Sequence, residues 1–186
     1  YLPSVLPAVA VVMLWSWLFQ ADFGLINYAL SLVGIKGPMW FSDPAWALPA
    51  LAIISFWGIG GGAIIYLAGL QNIPPILYEA AEVDGAGRWY SFWRITLPLM
   101  TPTIFFNLVM GLIGVLQTFT TAFVATGGGP QKSTLFYMLV VYSNAFGSFF
   151  MGYASALAWI LAVIILLLTL VVFRSSSLWV YYESEV

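Results

Sequence analysis

The chain contains neither cysteine nor histidine. The first absence removes disulfides and thiolate chemistry, and the second removes the commonest metal ligand and general base. Charge is almost as scarce. Five Lys or Arg and seven Asp or Glu among 186 residues make 6%, where a soluble surface needs about 25%. The remainder is 62% hydrophobic, which excludes a soluble domain and leaves an integral membrane protein. Nine Trp and ten Tyr suit the two membrane interfaces, where amphipathic rings settle at headgroup level. The net charge of −2 is too small to point to nucleic acid. No metal ligand set and no cofactor motif is present.

Gaps between charges mark the spans, since a helix needs about 20 apolar residues to cross roughly 30 Å of hydrocarbon. Residues 1 to 21 are uncharged and give span a at 3 to 20. The run lacks a basic leader region and a small-residue cleavage site, so it reads as a span and not as a signal peptide. A chain opening at Tyr1 reads as a piece of something longer. A mixed loop with Asp22, Asn27, Lys36, Gly37, Pro38, Asp43 and Pro44 follows. Span b covers 46 to 70 and span c 103 to 124. The uncharged stretch from Ser133 to Phe173 divides into an interfacial or re-entrant helix at 134 to 146, broken around Ser143, Asn144 and Gly147, and span d at 152 to 173. The expected fold is therefore an all-α membrane bundle with four spans, forming one transmembrane domain over 1 to 186. With four crossings, Arg88, Arg94 and Arg174 share one side and Lys36 and Lys132 the other. Positive charge prefers the cytoplasm, so residues 71 to 102 are placed there.

Five of the twelve charges fall between Glu79 and Arg94. In that stretch Pro75 can open a helix and Gly85 can close it in the left-handed conformation, predicting a helix over 75 to 84. Ile76, Ala80 and Val83 share one face. A second helix, 86 to 96, aligns Trp89, Phe92, Trp93 and Thr96. Pro98 and Pro102 are expected to end this two-helix knob before span c begins. A solvated loop that merely keeps charge out of lipid would not need two helices set around a glycine.

The order Glu79-Ala80-Ala81, three residues, Gly85, nine residues, Ile95, one residue, Leu97-Pro98 resembles the EAA loop of binding-protein-dependent ATP-binding cassette importer permeases. "LAGLQNIPPILYEAAEVDGAGRWYSFWRITLPL" is similar to the carbohydrate-uptake branch. "WSWLFQADFGLIN", "ATGGGPQKST" and "YSNAFGSFFMGYASALA" resemble its maltose-type first permease subunit or the glycerol-phosphate permease. The resemblance implies a MetI-like helical bundle in a bacterial or archaeal inner membrane, with an early core helix ahead of span a that is missing here. It also implies partners: ATP-binding subunits that carry the hydrolysis, a second permease subunit forming a heterodimer, and an extracytoplasmic solute-binding protein. Residues 71 to 102 would be the cytoplasmic coupling loop. Within it Glu79 would pair with a basic group of the ATP-binding subunit, Ala80 and Ala81 would allow close packing, and Gly85 would set the bend. Asp84 would cap the helix or touch the partner, and Ile95, Leu97 and Pro98 would complete the motif. ATP binding would then drive rigid-body alternating access.

A solute pathway needs hydrogen-bond partners and room. Span b offers Ser55, Trp57, Gly58 and Gly61. Span c offers Asn107, Gly111, Gly114 and Thr118 at helical spacing, with Gln117 and Thr121 beside them. Small residues on one face are equally the signature of tight helix packing, and both readings stand at this point. The spans hold no charge, which favours a neutral sugar or polyol over glycerol phosphate and disfavours an ion-coupled secondary transporter. A membrane scaffold would need neither a polar glycine face nor a docking knob. "GGGPQKST" is not a phosphate-binding loop, because Gln131 stands where such a loop has glycine and Pro130 supplies no N–H. It reads as a Gly-Pro turn on the outer side.

Overall fold

A computed structural model describes residues 1 to 181, apart from the side chain of Leu2. The last five residues of the expected domain lie outside that range. In chain order the helices are α1 (Leu2–Val5), α2 (Ala8–Leu18), α3 (Leu25–Leu32), α4 (Pro44–Trp57), α5 (Ile59–Gln71), α6 (Pro75–Val83), α7 (Arg88–Ser91), α8 (Leu97–Leu116), α9 (Thr120–Ala125), α10 (Tyr137–Tyr142) and α11 (Met151–Trp179). Two wider π turns, Phe92–Thr96 and Ser143–Gly147, extend α7 and α10. The described residues contain no strand.

Span a is interrupted. Pro7 forces Leu6 into extended backbone, at φ −74° and ψ 141°, so the helix stops and restarts. The 11 residues of α2 reach only about 16 Å at 1.5 Å per residue. Span b is divided at Gly58 within the run Gly58-Ile59-Gly60-Gly61-Gly62, where each glycine costs about 1 kcal/mol of helix propensity. Among the described residues two helical runs, 88 to 125 and 151 to 179, are long and apolar enough to cross a membrane, and the broken α4 and α5 pair makes a third. Four uninterrupted spans are therefore not present. The short helix expected over 134 to 146 is found at 137 to 147, but Ser143, Asn144 and Gly147 do not break it: they lie in the π turn, and the break falls at 148 to 150, where Phe149 takes φ +59°.

The chain forms two compact units. The first comprises residues 1 to 60 and 115 to 163. Its core gathers Val12 of α2 and Phe19 just after it, Ala50, Leu51 and Ile54 of α4, Ala122, Leu139 and Trp40. Ala50 and Ala122 are fully buried, as expected where helices associate by close van der Waals approach. Asp43 caps α4 by accepting a hydrogen bond from the Ala45 N–H at 2.9 Å. The loop before it is tied by Asn27. Its amide donates to the carbonyls of Ala21 (3.0 Å) and Pro38 (3.1 Å), and its oxygen accepts from the Trp40 indole (2.8 Å).

The second unit comprises residues 61 to 114 and the chain from 164 onward. Phe105 packs edge-on against Phe173 at 5.0 Å, and Met100 and Phe105 are buried. Pro98 and Pro102 do not end the knob: helix continues from α7 through the π turn into α8. The reason is local. Proline removes an N–H and its ring crowds the carbonyl four residues earlier. Before Pro98 the ladder widens, with the Leu97 N–H bonding the Phe92 carbonyl, which makes room for the ring. The Pro98 carbonyl, deprived of its helical donor by Pro102, accepts from the Thr101 hydroxyl at 2.6 Å.

Candidate functional site

In the second unit, α6 begins at Pro75 and ends in a motif with two closing bonds. The Ala86 N–H bonds the Ala81 carbonyl at 2.8 Å, and the Gly85 N–H bonds the Glu82 carbonyl at 3.0 Å. This six-to-one and five-to-two pattern requires a left-handed residue between its donors, and Gly85 has φ +76°. The helix expected over 75 to 84 and its glycine stop are thus both present. Glu79, Ala80, Asp84 and Gly85 are exposed, Ala81 is half-buried, and Ile95, Leu97 and Pro98 sit half-buried on the helical run beyond.

The outward face of α6 is apolar. Ile76 is 65% exposed and Val83 is 89% exposed. Trp89 and Trp93 are exposed as well, in edge contact with Phe92 at 6.3 and 5.4 Å. Among the described residues the charges of this stretch form no ion pair. Arg94 lies 5.8 Å from the centroid of Tyr90, within cation–π range. A helix showing both an apolar face and an unpaired carboxylate, closed by a left-handed glycine turn, has the chemistry of a surface made to be covered.

The pathway candidates divide between the units. Gly61, Asn107, Gly111 and Gly114 belong to the second. Asn107 turns its amide back to its own helix, donating to the Thr103 carbonyl at 2.9 Å. Beyond the glycine's own helix backbone and chain neighbours, no atom lies within 4 Å of where a Cβ would stand at Gly111 or Gly114, so within this chain these glycines are not packing notches.

Trp57, Gly58, Gln117, Thr118 and Thr121 belong to the first unit. The helical spacing expected to place Thr118 above Gly114 does not hold, because α8 stops at Leu116 and residues 117 to 119 are non-helical. Beside that break lies a cavity of about 390 Å³. Thr118 and Thr121 line it together with Ser55, Leu51, Phe136 and Tyr137. Irregular backbone at membrane depth is tolerated where it is enclosed by protein or faces a wet cavity. The Ser55 hydroxyl donates to the Leu51 carbonyl at 3.0 Å and the Tyr137 hydroxyl to the Leu157 carbonyl at 2.8 Å. Their oxygens keep acceptor capacity toward the cavity. Gln117 is exposed, and Trp57 stands apart from the cavity lining, edge-on to Trp15 at 5.5 Å. Sequence reading missed Phe136 and Tyr137 as lining residues, since nothing in an apolar run marks which side faces a cavity.

Residues 1 to 178 match the family model described as the binding-protein-dependent transport system inner membrane component. The chain is similar to a probable ABC transporter permease protein of Bacillus subtilis, YesP, with 48% identity across 100% of this chain and 61% of the relative. It is 38% identical to the sulfoquinovosyl glycerol transport system permease protein SmoG of Agrobacterium fabrum, covering 93% of this chain and 56% of the relative. Among solved structures it is similar to a bacterial ABC transporter that imports the acidic polysaccharide alginate. The TM-score is 0.87 and the identity 30%, over 95% of this chain and 63% of that one. The same transporter has been solved in complex with an alginate pentasaccharide-bound periplasmic protein, again at a TM-score of 0.87. The chain spans 56% to 61% of the length of these curated relatives.

Proposed function

The chain belongs to the binding-protein-dependent transport system inner membrane component family, and from that premise we propose that it forms part of the permease subunit of an ATP-driven carbohydrate importer. It is a multi-pass component of the inner membrane. The observation that carries the proposal is α6, an exposed apolar helix with Glu79 on it and a left-handed Gly85 closing it. In this reading α6 docks into an ATP-binding subunit, where Glu79 meets a basic group, Ala80 and Ala81 admit a close backbone, and Asp84 lies at the rim. Hydrolysis takes place on that partner. A second permease subunit completes the pathway, and a solute-binding protein delivers the sugar from outside. Four crossings result if the interrupted segment of α1 and α2, residues 2 to 18, counts as the first of them.

The residues assigned to the solute path are Gly61, Asn107, Gly111 and Gly114 in the second unit and Trp57, Gly58, Gln117, Thr118 and Thr121 in the first. A neutral sugar is favoured because no Lys, Arg, Asp or Glu lies between residues 44 and 71 or between 97 and 125. An acidic sugar is the second reading, favoured by similarity to the alginate transporter. Glycerol phosphate gains no support from either observation.

The test is retention of the ATP-binding subunit on membranes. Glu79→Ala removes one member of a partly buried charge pair, a loss of a few kcal/mol, and is expected to release the subunit and stop ATP-driven uptake. Tyr90→Ala, at an exposed position, is expected to do neither. Normal retention and uptake in Glu79→Ala would overturn the docking role.

A further inference from the structure

The coupling reading leaves open how a push on α6 reaches the membrane helices, and this step rests on that reading. α6 does not lie flat against the helical run that follows it. A cavity of about 480 Å³ separates them, with Tyr78 and Glu82 on one wall and Arg88, Ser91, Phe92 and Thr96 on the other. The two arms are joined at one end by the turn through Gly85, where no atom lies within 4 Å of a Cβ position, so no packing stiffens it. Toward the other end they are joined by a hydrogen bond of 2.8 Å between the hydroxyls of Tyr78 and Thr96. Two arms meeting at one turn have one soft angle, and a bond across the opening fixes it.

The far end of that bond is firmly held. Thr96 closes the π turn immediately before α8. Five residues on, the Thr101 hydroxyl donates to the Pro98 carbonyl and accepts from the Tyr181 N–H at 2.8 Å. The near end sits beside Glu79, so the docking contact and the tether occupy adjacent residues on different sides of α6. We propose that the Tyr78–Thr96 hydrogen bond is the brace that makes α6 and the foot of α8 a single lever. Tyr78 and Thr96 are then positioning residues through which displacement of the docking helix becomes displacement of the span.

The test uses the full permease, free of other cysteines, assembled with its partner subunits in liposomes. Spin labels are attached at Pro75→Cys, at the start of α6 and away from the docking face, and Met110→Cys on α8, both exposed positions, and the distance distribution is recorded without nucleotide and with ATP trapped by vanadate. The parent is expected to give one narrow distribution in both states. Tyr78→Phe and Thr96→Val each delete one hydroxyl and are expected to add a second population. The braced-to-released ratio falls about fivefold, the typical worth of one net hydrogen bond. The double variant is expected to be no broader than either single one. Thr96→Ser keeps the hydroxyl and restores the parent distribution. The ATP-binding subunit stays bound in all of them. Unchanged distributions in Tyr78→Phe and Thr96→Val would overturn the brace, as would a Thr96→Ser distribution as broad as that of Thr96→Val, or loss of the ATP-binding subunit. The recording without nucleotide reads the angle whether or not α6 docks, so failure of the brace and failure of docking are separate results.

Discussion

The turn after α6 and the turn after α9 use similar residues and treat them in opposite ways. Between Thr126 and Thr134 the two threonine hydroxyls fold inward, while Gln131 and Lys132 stay exposed. Thr134 is fully buried; its hydroxyl bonds the Gly129 carbonyl at 2.7 Å and lies 2.6 Å from the Thr126 hydroxyl, which in turn donates to the Ala122 carbonyl. Gly128, at φ +91°, is wedged against Leu135 and Leu139. Around Gly85, among the described residues, the backbone bonds close the helix itself, while Glu79 and Asp84 are exposed. Both turns need a left-handed glycine, yet one ties its two threonine hydroxyls to its own chain and the other presents carboxylates that its own chain does not pair. A glycine turn of the second kind is where a partner is to be sought.

Substitution of the two glycines breaks the comparison most sharply. Gly128→Val adds left-handed strain to a Cβ placed 3.0 Å from the Leu135 and Leu139 side chains, a cost of about 2 kcal/mol or more. It is expected to lower the melting temperature and the yield of the solubilised permease. Gly85→Val meets no neighbour and carries only the left-handed cost of about 1–2 kcal/mol. Its yield should match the parent, while ATP-binding subunit retention and ATP-driven uptake are lost. Equal loss of yield in both would remove the distinction.

A smaller effect separates packing from passage at Gly114. A Cβ at this position meets no side chain or neighbouring segment within 4 Å, so Gly114→Leu is expected to leave the complex assembled, with near-parent basal ATP hydrolysis, and to reduce uptake strongly. Failure to assemble would mean that a helix of another subunit packs there. The mildest probe is topological. Ser133 carries a buried hydroxyl without a partner and is poorly reachable, whereas Lys132 is exposed. Lys132→Cys is expected to react with an impermeant thiol reagent from outside the cell without altering uptake. Reaction only from the cytoplasmic side would invert the assigned orientation.

The knob was more legible in the sequence than the spans were. Pro75 and Gly85 act through fixed local geometry, so their meaning survives into the fold. Pro98 and Pro102 misled because their cost was absorbed by neighbours, a widened turn and the Thr101 hydroxyl, neither visible as a pattern. The division at Gly58 was written in a run of glycines that charge-gap counting ignores. The break at 117 to 119 follows a Gln-Thr-Phe sequence with no helix breaker, so the cavity beside Thr118 could not be placed beforehand. The Tyr78–Thr96 contact joins residues 18 apart in sequence, across a turn whose angle no local rule gives.

The most direct measurement is a photo-cross-link from the two turns in living cells. A benzophenone amino acid placed at Val83, 89% exposed beside the Gly85 turn, is expected to give an adduct with the ATP-binding subunit that disappears when Glu79→Ala is added. The same group at Lys132 is expected to give none with that subunit. Absence of the adduct at Val83, or its appearance at Lys132, would contradict the assignment of α6 as the docking helix.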